Sequence, residues 1–173
     1  MSLIEYLIDM NKEYINWALI YTGLQRIREQ MITDNWIPDT VVGINRGGCI
    51  PGILLSHKLN VPHVPLDVRL RDHLDNERPS LELLYKLQGK KALIIDDIND
   101  TGATFDYIHS EFKGTNTFRY ASIYNNEPSS FDKVHYSAYN INKDKHPAWL
   151  VFPWEDWDKP GNFIQQGVRN ESR

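Results

Sequence analysis

The chain of 173 residues lacks most features of exported or membrane proteins. It has a single cysteine, Cys49, so no disulfide can form within the chain, and a buried bystander role is expected for that thiol. It contains no apolar run of about 18 residues, and no basic segment precedes an apolar stretch at its N-terminus. We therefore expect neither a membrane span nor a signal peptide, and a cytoplasmic location.

Positive charge is also scarce, because 19 Lys and Arg stand against 23 Asp and Glu, for a net charge of −4. An acidic chain is a poor candidate for non-specific nucleic-acid binding, so we expect small-molecule partners. The six histidines show no metal-ligand spacing. The length and the 41% hydrophobic content suit one domain with a sizeable core.

The most informative stretch is the segment 91–105, KALIIDDINDTGATF. Its apolar run predicts a buried strand that ends before the first two acids, and a helix is predicted over residues 103–112. Between them lie three acids and a small, hydroxyl-rich group: Asp96, Asp97, Asp100 and Thr101-Gly102-Ala103-Thr104. The pattern is therefore a strand, an acidic edge and a loop at a helix N-terminus.

Backbone N–H groups and the dipole at a helix N-terminus favour a phosphate. Neighbouring carboxylates would repel that phosphate unless they bind sugar hydroxyls or a hard cation such as Mg²⁺. The segment therefore suits a ligand that combines a phosphate with a ribose. The alternative is an acidic strand-to-helix turn in which Thr101 only caps the helix.

A second loop follows the predicted strand 40–45 and reads Arg46-Gly47-Gly48. Glycines allow a close approach of the backbone to an anion, and arginine provides a forked donor. A nucleotide-triphosphate loop is disfavoured, because Cys49-Ile50 stands where that motif needs Lys followed by Ser or Thr. An ordinary tight turn remains the alternative.

These two loops resemble those of the type I phosphoribosyltransferases, especially the xanthine-guanine enzymes. Residues 94–104 look like the phosphoribosyl-diphosphate signature, and residues 45–52 are similar to the diphosphate loop. The family's cis peptide after the arginine implies a cis bond at Arg46–Gly47. The resemblance implies a Rossmann-like α/β fold with a mostly parallel central sheet and helices on both faces.

The resemblance also implies Mg²⁺-dependent transfer of 5-phosphoribosyl from phosphoribosyl diphosphate to a guanine, xanthine or hypoxanthine base. Asp100 is the implied catalytic residue, and Asp97 is the implied metal ligand. The implied phosphoribosyl-diphosphate site consists of Arg46, Gly47, Gly48, Arg78, Asp96, Asp97, Asp100, Thr101, Gly102, Ala103 and Thr104. The alternative is a non-catalytic regulatory protein that senses phosphoribosyl diphosphate or a nucleotide.

The C-terminal part of the resemblance concerns base recognition. Trp149-Leu150 and Pro153-Trp154-Glu155 match the family's base-binding end, although tryptophans here could instead close the core or form a docking surface. Purine enzymes of the family carry a lysine before a proline after the next strand. This chain has Asn126 near that position, so Trp149, Leu150 and Asn126 are the expected base contacts.

The remaining expectations concern the outline of the chain. A single domain is expected over residues 1–173, with its core at 14–157, a helical extension at 1–13 and a tail at 158–173. The arginine-bearing loop 69–81 suits either a lid over diphosphate or a solvated surface loop, and extended structure is predicted after it. A homodimer or homotetramer is implied by resemblance alone.

Overall fold

A computed structural model describes residues 11–68, 81–113, 115 and 117–155. Its helices are α1 (Trp17–Thr33), α2 (Cys49–Leu59), α3 (Glu82–Tyr85) and α4 (Ala103–Glu111). Its strands are β1 (Lys12–Tyr14), β2 (Thr40–Ile44), β3 (His63–Leu66), β4 (Ala92–Asn99), β5 (Phe118–Asn126), β6 (Tyr136–Ile141) and β7 (Trp149–Val151).

Five strands form the central sheet in the order β3-β2-β4-β5-β6. Every pairing within it is parallel, with Val42 opposite Ile94 and Ile94 opposite Tyr120 across the three middle strands. Parallel strands are joined by crossovers that cover the sheet, which explains the continuous apolar runs in β2 and β4. The predicted parallel α/β sheet is therefore confirmed.

Helices pack on both faces of this sheet, as predicted. Side chains of β2 alternate between the two cores, so Val41 packs with α1 and α2 while Val42 packs with α3 and α4. Helix α1 contributes Ile20, Leu24, Ile27 and Met31 to the first core. Each such buried aliphatic side chain contributes roughly 1.5–3 kcal/mol, so both layers are firmly attached to the sheet.

Two local predictions differ from the structure. Strand β4 does not end before its acids: it continues to Asn99, pairing Asp96 with Ser122 and Asn99 with Asn125. The long neighbour β5 supplies backbone partners that keep the acidic segment extended. The extended structure predicted after the arginine-bearing loop is instead the short helix α3, where Leu84 is buried and an i,i+4 ion pair lies on the surface.

The two ends of the described chain meet in a small second sheet. Strand β1 pairs with β7 in parallel, with Tyr14 opposite Val151. The helical extension predicted over 1–13 is therefore wrong at its end, because residues 12–13 belong to a strand. Residues 1–10, the arginine-bearing loop up to residue 80 and the predicted tail lie outside the described residues. No helix in the described part is long and apolar enough to cross a membrane.

Candidate active site at the carboxyl ends of β2 and β4

Strands β2 and β4 are neighbours, but the chain leaves β2 toward β3 on one side before it returns to β4 on the other. Such a change of direction opens a crevice at the carboxyl ends of the two strands. The loops after β2 and β4 face each other across this crevice, as predicted, and line one cavity of about 360 Å³. Its wall consists of Asn45, Arg46, Gly47, Val68, residues 96–105, Lys143, Trp149, Leu150, Phe152 and Glu155.

The two loops touch at glycines. A Cβ atom on Gly47 would lie 2.1 Å from Oδ2 of Asp97, and one on Gly48 would lie 2.2 Å from the carbonyl oxygen of Ile95. Real side chains never approach other atoms so closely, so this contact requires residues without a Cβ. Gly47 and Gly48 therefore let the loop after β2 pack directly against the acidic end of β4.

The loop after β2 contains a cis peptide bond at Asn45–Arg46. The implied position, Arg46–Gly47, is therefore wrong by one bond. The turn itself is closed by a hydrogen bond from Gly48 N to Ile44 O (2.8 Å), so Gly47 lies inside the turn. Sγ of Cys49 donates to Oδ1 of Asn45 (2.6 Å), and burial raises the pKa of this thiol. The residue is half-buried and not fully buried as expected, and its bystander role stays a prediction.

The loop after β4 brings a helix N-terminus to the cavity. Gly102 has φ of 91°, in the left-handed region that favours glycine, and α4 begins at the next residue. The loop is supported from behind by Ser130, whose backbone N–H donates to Thr101 O (3.0 Å) and whose hydroxyl donates to Oδ2 of Asp106 (2.7 Å). This support was not predicted. It leaves Ala103 and Thr104 in the cavity wall, where their backbone suits an anion.

The carboxyl groups of Asp96 and Asp97, at the end of β4, lie close to other negatively charged groups. Asp97 is only 8% exposed, and burial together with the charge of Glu155 raises its pKa to about 7. Burial, and then the charge of Asp97, raises the pKa of Asp96 well above its ordinary range. Glu155 belongs to the C-terminal match but was assigned no role, and it is held in place because its Oε2 accepts from Phe152 N (2.9 Å). The cavity therefore attracts a cation or hydroxyl donors.

A metal ion would have to share its coordination with a ligand. Within the described part of the chain, no group of three or more His, Cys, Asp or Glu side chains is arranged to hold a metal. Mg²⁺ is commonly bound by one or two carboxylates together with substrate oxygens. The donor set of Asp96 and Asp97 fits that mode, and it does not fit a metal held by protein alone.

The far end of the cavity is aromatic. The side chain of Trp149 is 59% exposed although it lines the cavity, and Leu150 is buried beneath the same wall. Phe152, which also lines the cavity, stacks on Trp154 at 5.1 Å between ring centroids. A large exposed ring at a cavity edge is suited to stacking against a planar ligand.

Asn126 does not belong to the cavity wall. It is buried, its amide nitrogen donates to the carbonyl oxygen of Asp100 (3.0 Å), and its amide oxygen accepts from Lys143 N (3.0 Å). Lys143 does line the cavity, and its Nζ lies 3.0 Å from Oδ2 of Asp100. No sequence pattern had singled out Lys143, since it lies in a polar connection far from the signature.

The structure therefore brings most of the predicted site into one cavity. The cavity is lined by Arg46, Gly47, Trp149, Leu150 and the residues from Asp96 to Thr104. Gly48 and Asn126 do not line it and are buried behind its wall. Arg78, the remaining predicted diphosphate ligand, lies outside the described residues.

A sequence profile of the phosphoribosyl transferase domain matches residues 10–155, which include every element of both sheets. The chain belongs to the phosphoribosyltransferase family. A xanthine-guanine phosphoribosyltransferase of Idiomarina loihiensis is 23% identical over 152 residues, which cover 84% of this chain and 88% of the relative.

Solved structures agree with this family. A purine phosphoribosyltransferase of Pyrococcus horikoshii superposes with a TM-score of 0.67 at 28% identity, over 85% of this chain and 96% of that one. A Neisseria gonorrhoeae protein with bound ppGpp has a TM-score of 0.68 at 17% identity, over 85% and 92% of the two chains, and shares the fold. The chain is thus a phosphoribosyltransferase with the α/β fold of its family.

Proposed function

We propose that this phosphoribosyltransferase transfers the 5-phosphoribosyl group of phosphoribosyl diphosphate to a purine base. The bond between the anomeric carbon and diphosphate breaks, a bond from that carbon to a ring nitrogen forms, and the base loses a proton. The products are a nucleoside monophosphate and diphosphate. The observation that carries the proposal is the single cavity lined by both glycine-containing loops and by the exposed ring of Trp149.

The 5′-phosphate binds the backbone of residues 100–104. This loop leads into α4, whose first residues line the cavity, and a helix N-terminus offers N–H donors that have no partner within the helix, together with a favourable dipole. Ala103 N makes only a long hydrogen bond of 3.4 Å, to Oγ1 of Thr101. The left-handed Gly102 turns the chain so that these donors converge.

The ribose hydroxyls bind Asp96 and Asp97. Both carboxyls have raised pKa values because of burial and like charge, so hydroxyl donors or a cation stabilise their ionised forms. Mg²⁺ fits beside Asp97, where it would supply positive charge to the hydroxyls and the diphosphate. The same carboxylates stabilise positive charge that develops on the sugar ring as the leaving group departs.

The leaving diphosphate faces Arg46 and Gly47. The guanidinium of Arg46 is exposed at the cavity and offers a fork of donors, while Gly47 allows close approach of the backbone. Arg78 is proposed as a second diphosphate ligand on the basis of the resemblance, as is a cytoplasmic homo-oligomer.

The base lies against Trp149 and Leu150, near the carboxylate of Asp100. We assign to Asp100 the transfer of the proton on N7 of the base, a contribution typically worth 10²–10⁴-fold in rate. This residue is 32% exposed in its side chain and lies at the junction of the phosphate loop and the base end, so it can reach both parts of the substrate.

The test is a transfer assay with phosphoribosyl diphosphate, Mg²⁺ and a panel of guanine, xanthine, hypoxanthine and adenine. We expect stoichiometric nucleoside monophosphate and diphosphate, and we expect Asp100→Asn to lower kcat by about 10²–10⁴-fold with unchanged affinity for phosphoribosyl diphosphate. Asp144→Asn, at an exposed site near the same end, is the matched control.

A chain that binds phosphoribosyl diphosphate in calorimetry but transfers nothing to any base would instead be a regulatory protein on the same fold. A chain that does not bind it would contradict both functions. An unchanged kcat in Asp100→Asn would remove only the role of that carboxylate.

A further inference from the structure

A lysine ammonium group lies at the base end of the cavity. Nζ of Lys143 is 3.0 Å from Oδ2 of Asp100 and 6.0 Å from the centroid of the Trp149 ring. The lysine side chain is 21% exposed and lines the cavity, so it is directed at the ligand space rather than at bulk solvent. It comes from the connection between β6 and β7, which is separate from the loops described above.

The position of this lysine is built by a buried amide. Asn126, at the end of β5, is 8% exposed and donates to Asp100 O (3.0 Å) while it accepts from Lys143 N (3.0 Å). The nitrogen and the oxygen of this single carboxamide therefore join the backbone of the loop after β4 to that of the connection after β6. A hydrogen bond from His146 N to Asn142 O (2.9 Å) closes the turn that carries the lysine.

The charge on the lysine is balanced. An ammonium group paired with a carboxylate at 3.0 Å has little net charge, so it is a weak site for a phosphate dianion. It remains a donor, because an ammonium group has three N–H bonds and no acceptor. The ligand atom that suits this pair is a neutral carbonyl oxygen on a planar group that stacks against Trp149.

We propose that Lys143 selects bases that carry an exocyclic carbonyl oxygen, namely 6-oxopurines, against 6-aminopurines. The proposal rests on the proposed function, and it adds the residue that decides which purine is used. Asn126 is the positioning residue, since it acts through the lysine and Asp100 and does not itself line the cavity.

The selectivity follows from donor and acceptor chemistry. A carbonyl oxygen accepts from the ammonium group, whereas an amino group at the same place presents a second donor to it and forms no hydrogen bond. A hydrogen bond to a charged group contributes about 1.5–3 kcal/mol, which corresponds to a preference of about 10- to 100-fold.

The experiment compares kcat/KM for hypoxanthine and adenine, which differ in the 6-substituent and in whether N1 carries a proton. Lys143→Gln replaces a pure donor by an amide that can donate or accept. We expect the wild type to prefer hypoxanthine, and we expect Lys143→Gln to narrow the ratio by about 10- to 100-fold, mainly through KM for hypoxanthine. KM for phosphoribosyl diphosphate should stay unchanged.

Three further variants distinguish the role of the lysine from a loss of folding. Lys143→Met removes every hydrogen bond of the head group and should lower hypoxanthine transfer about 10- to 100-fold with adenine transfer little changed. Lys145→Met, at an exposed site of the same turn, should leave both unchanged. Asn126→Asp loses the N–H group that donates to Asp100 O. Like Lys143→Gln, it should lower the ratio of kcat/KM for hypoxanthine to that for adenine.

The outcomes separate this proposal from the proposed function. If hypoxanthine is a substrate but neither Lys143→Gln nor Lys143→Met changes the ratio of kcat/KM for hypoxanthine to that for adenine, the role of Lys143 alone is overturned. A wild-type preference for adenine would do the same. Absence of transfer to every base would overturn the proposed function and this inference with it.

Discussion

The buried carboxyl of Asp97 should lower the free energy of unfolding of the protein in the absence of ligand. Replacing this carboxyl by a neutral amide should therefore raise the free energy of unfolding. The pKa of this group is raised from 3.8 to about 7, first by burial and then by the charge of Glu155. A carboxyl whose pKa is higher in the folded than in the unfolded state folds at a cost when it is ionised. The cost is absent below pH 3.8, grows as the pH rises toward about 7, and is constant above that.

The magnitude follows from the same two values. Each pH unit between 3.8 and about 7 adds about 1.4 kcal/mol, so the full cost is about 4 kcal/mol, of which about 3 kcal/mol appears between pH 5 and pH 7. Asp97→Asn keeps the shape of the side chain and removes the charge. Its free energy of unfolding should therefore exceed that of the wild type, and the difference should widen with pH and then level off.

The assay is urea unfolding in EDTA at several pH values between about 5 and about 8. The free energy of unfolding must fall with urea concentration at the same slope in both proteins, so that the two values can be compared. Asp132→Asn, at an exposed site, is the control and should change stability little at any pH. A gain in Asp97→Asn that does not vary with pH would refute the buried-charge explanation, and so would a variant less stable than the wild type at pH 8. The variant should lose binding of phosphoribosyl diphosphate, since activity and stability conflict at this residue.

Two further substitutions test the loop and the aromatic wall. Gly102→Ala should destabilise the protein by about 1–3 kcal/mol, because its backbone is left-handed and the new Cβ would lie 2.5 Å from a backbone nitrogen. Gly89 also has a left-handed backbone, but a Cβ atom there would meet no other atom, so Gly89→Ala measures backbone strain alone. An equal loss of stability in the two variants would show that the clash at Gly102 contributes nothing. Trp149→Ala should raise KM for the base about 5- to 100-fold by loss of stacking, with KM for phosphoribosyl diphosphate unchanged. Fluorescence-monitored unfolding and steady-state kinetics measure these effects.

The phosphate-type loop could be predicted from the sequence because its chemistry is local. The acids, the glycine and the helix start lie within residues 94–104, so no long-range contact is needed to recognise them. The end of β4 was misplaced because acids are uncommon in buried strands, and only the long partner β5 explains why Asp96 stays in the sheet. The short apolar segment 81–85 was misassigned because its length fits a strand as well as a helical turn.

The places of Lys143 beside Asp100 and of Glu155 beside Asp97 could not be predicted by the same reasoning, although Glu155 was part of the C-terminal match. The lysine meets Asp100 across 43 residues of sequence, and only the parallel pairing of β5 with β6 brings the two loops together. Glu155 follows the short strand β7, whose place is set by pairing with β1 at the other end of the described chain. Both residues depend on strand order, which no local pattern encodes.

The distribution of charge in the cavity connects these observations. At the sugar end, carboxyls without net compensation have raised pKa values, so that end attracts a cation and hydroxyl groups. At the base end, Asp100 is compensated by Lys143, so that end suits a neutral ligand with hydrogen-bonding edges. A nearly neutral base needs no counter-ion at the second end. Phosphoribosyl diphosphate is an anion that the carboxyls of Asp96 and Asp97 would repel, so in the proposed reaction it reaches the first end through its ribose hydroxyls or together with Mg²⁺.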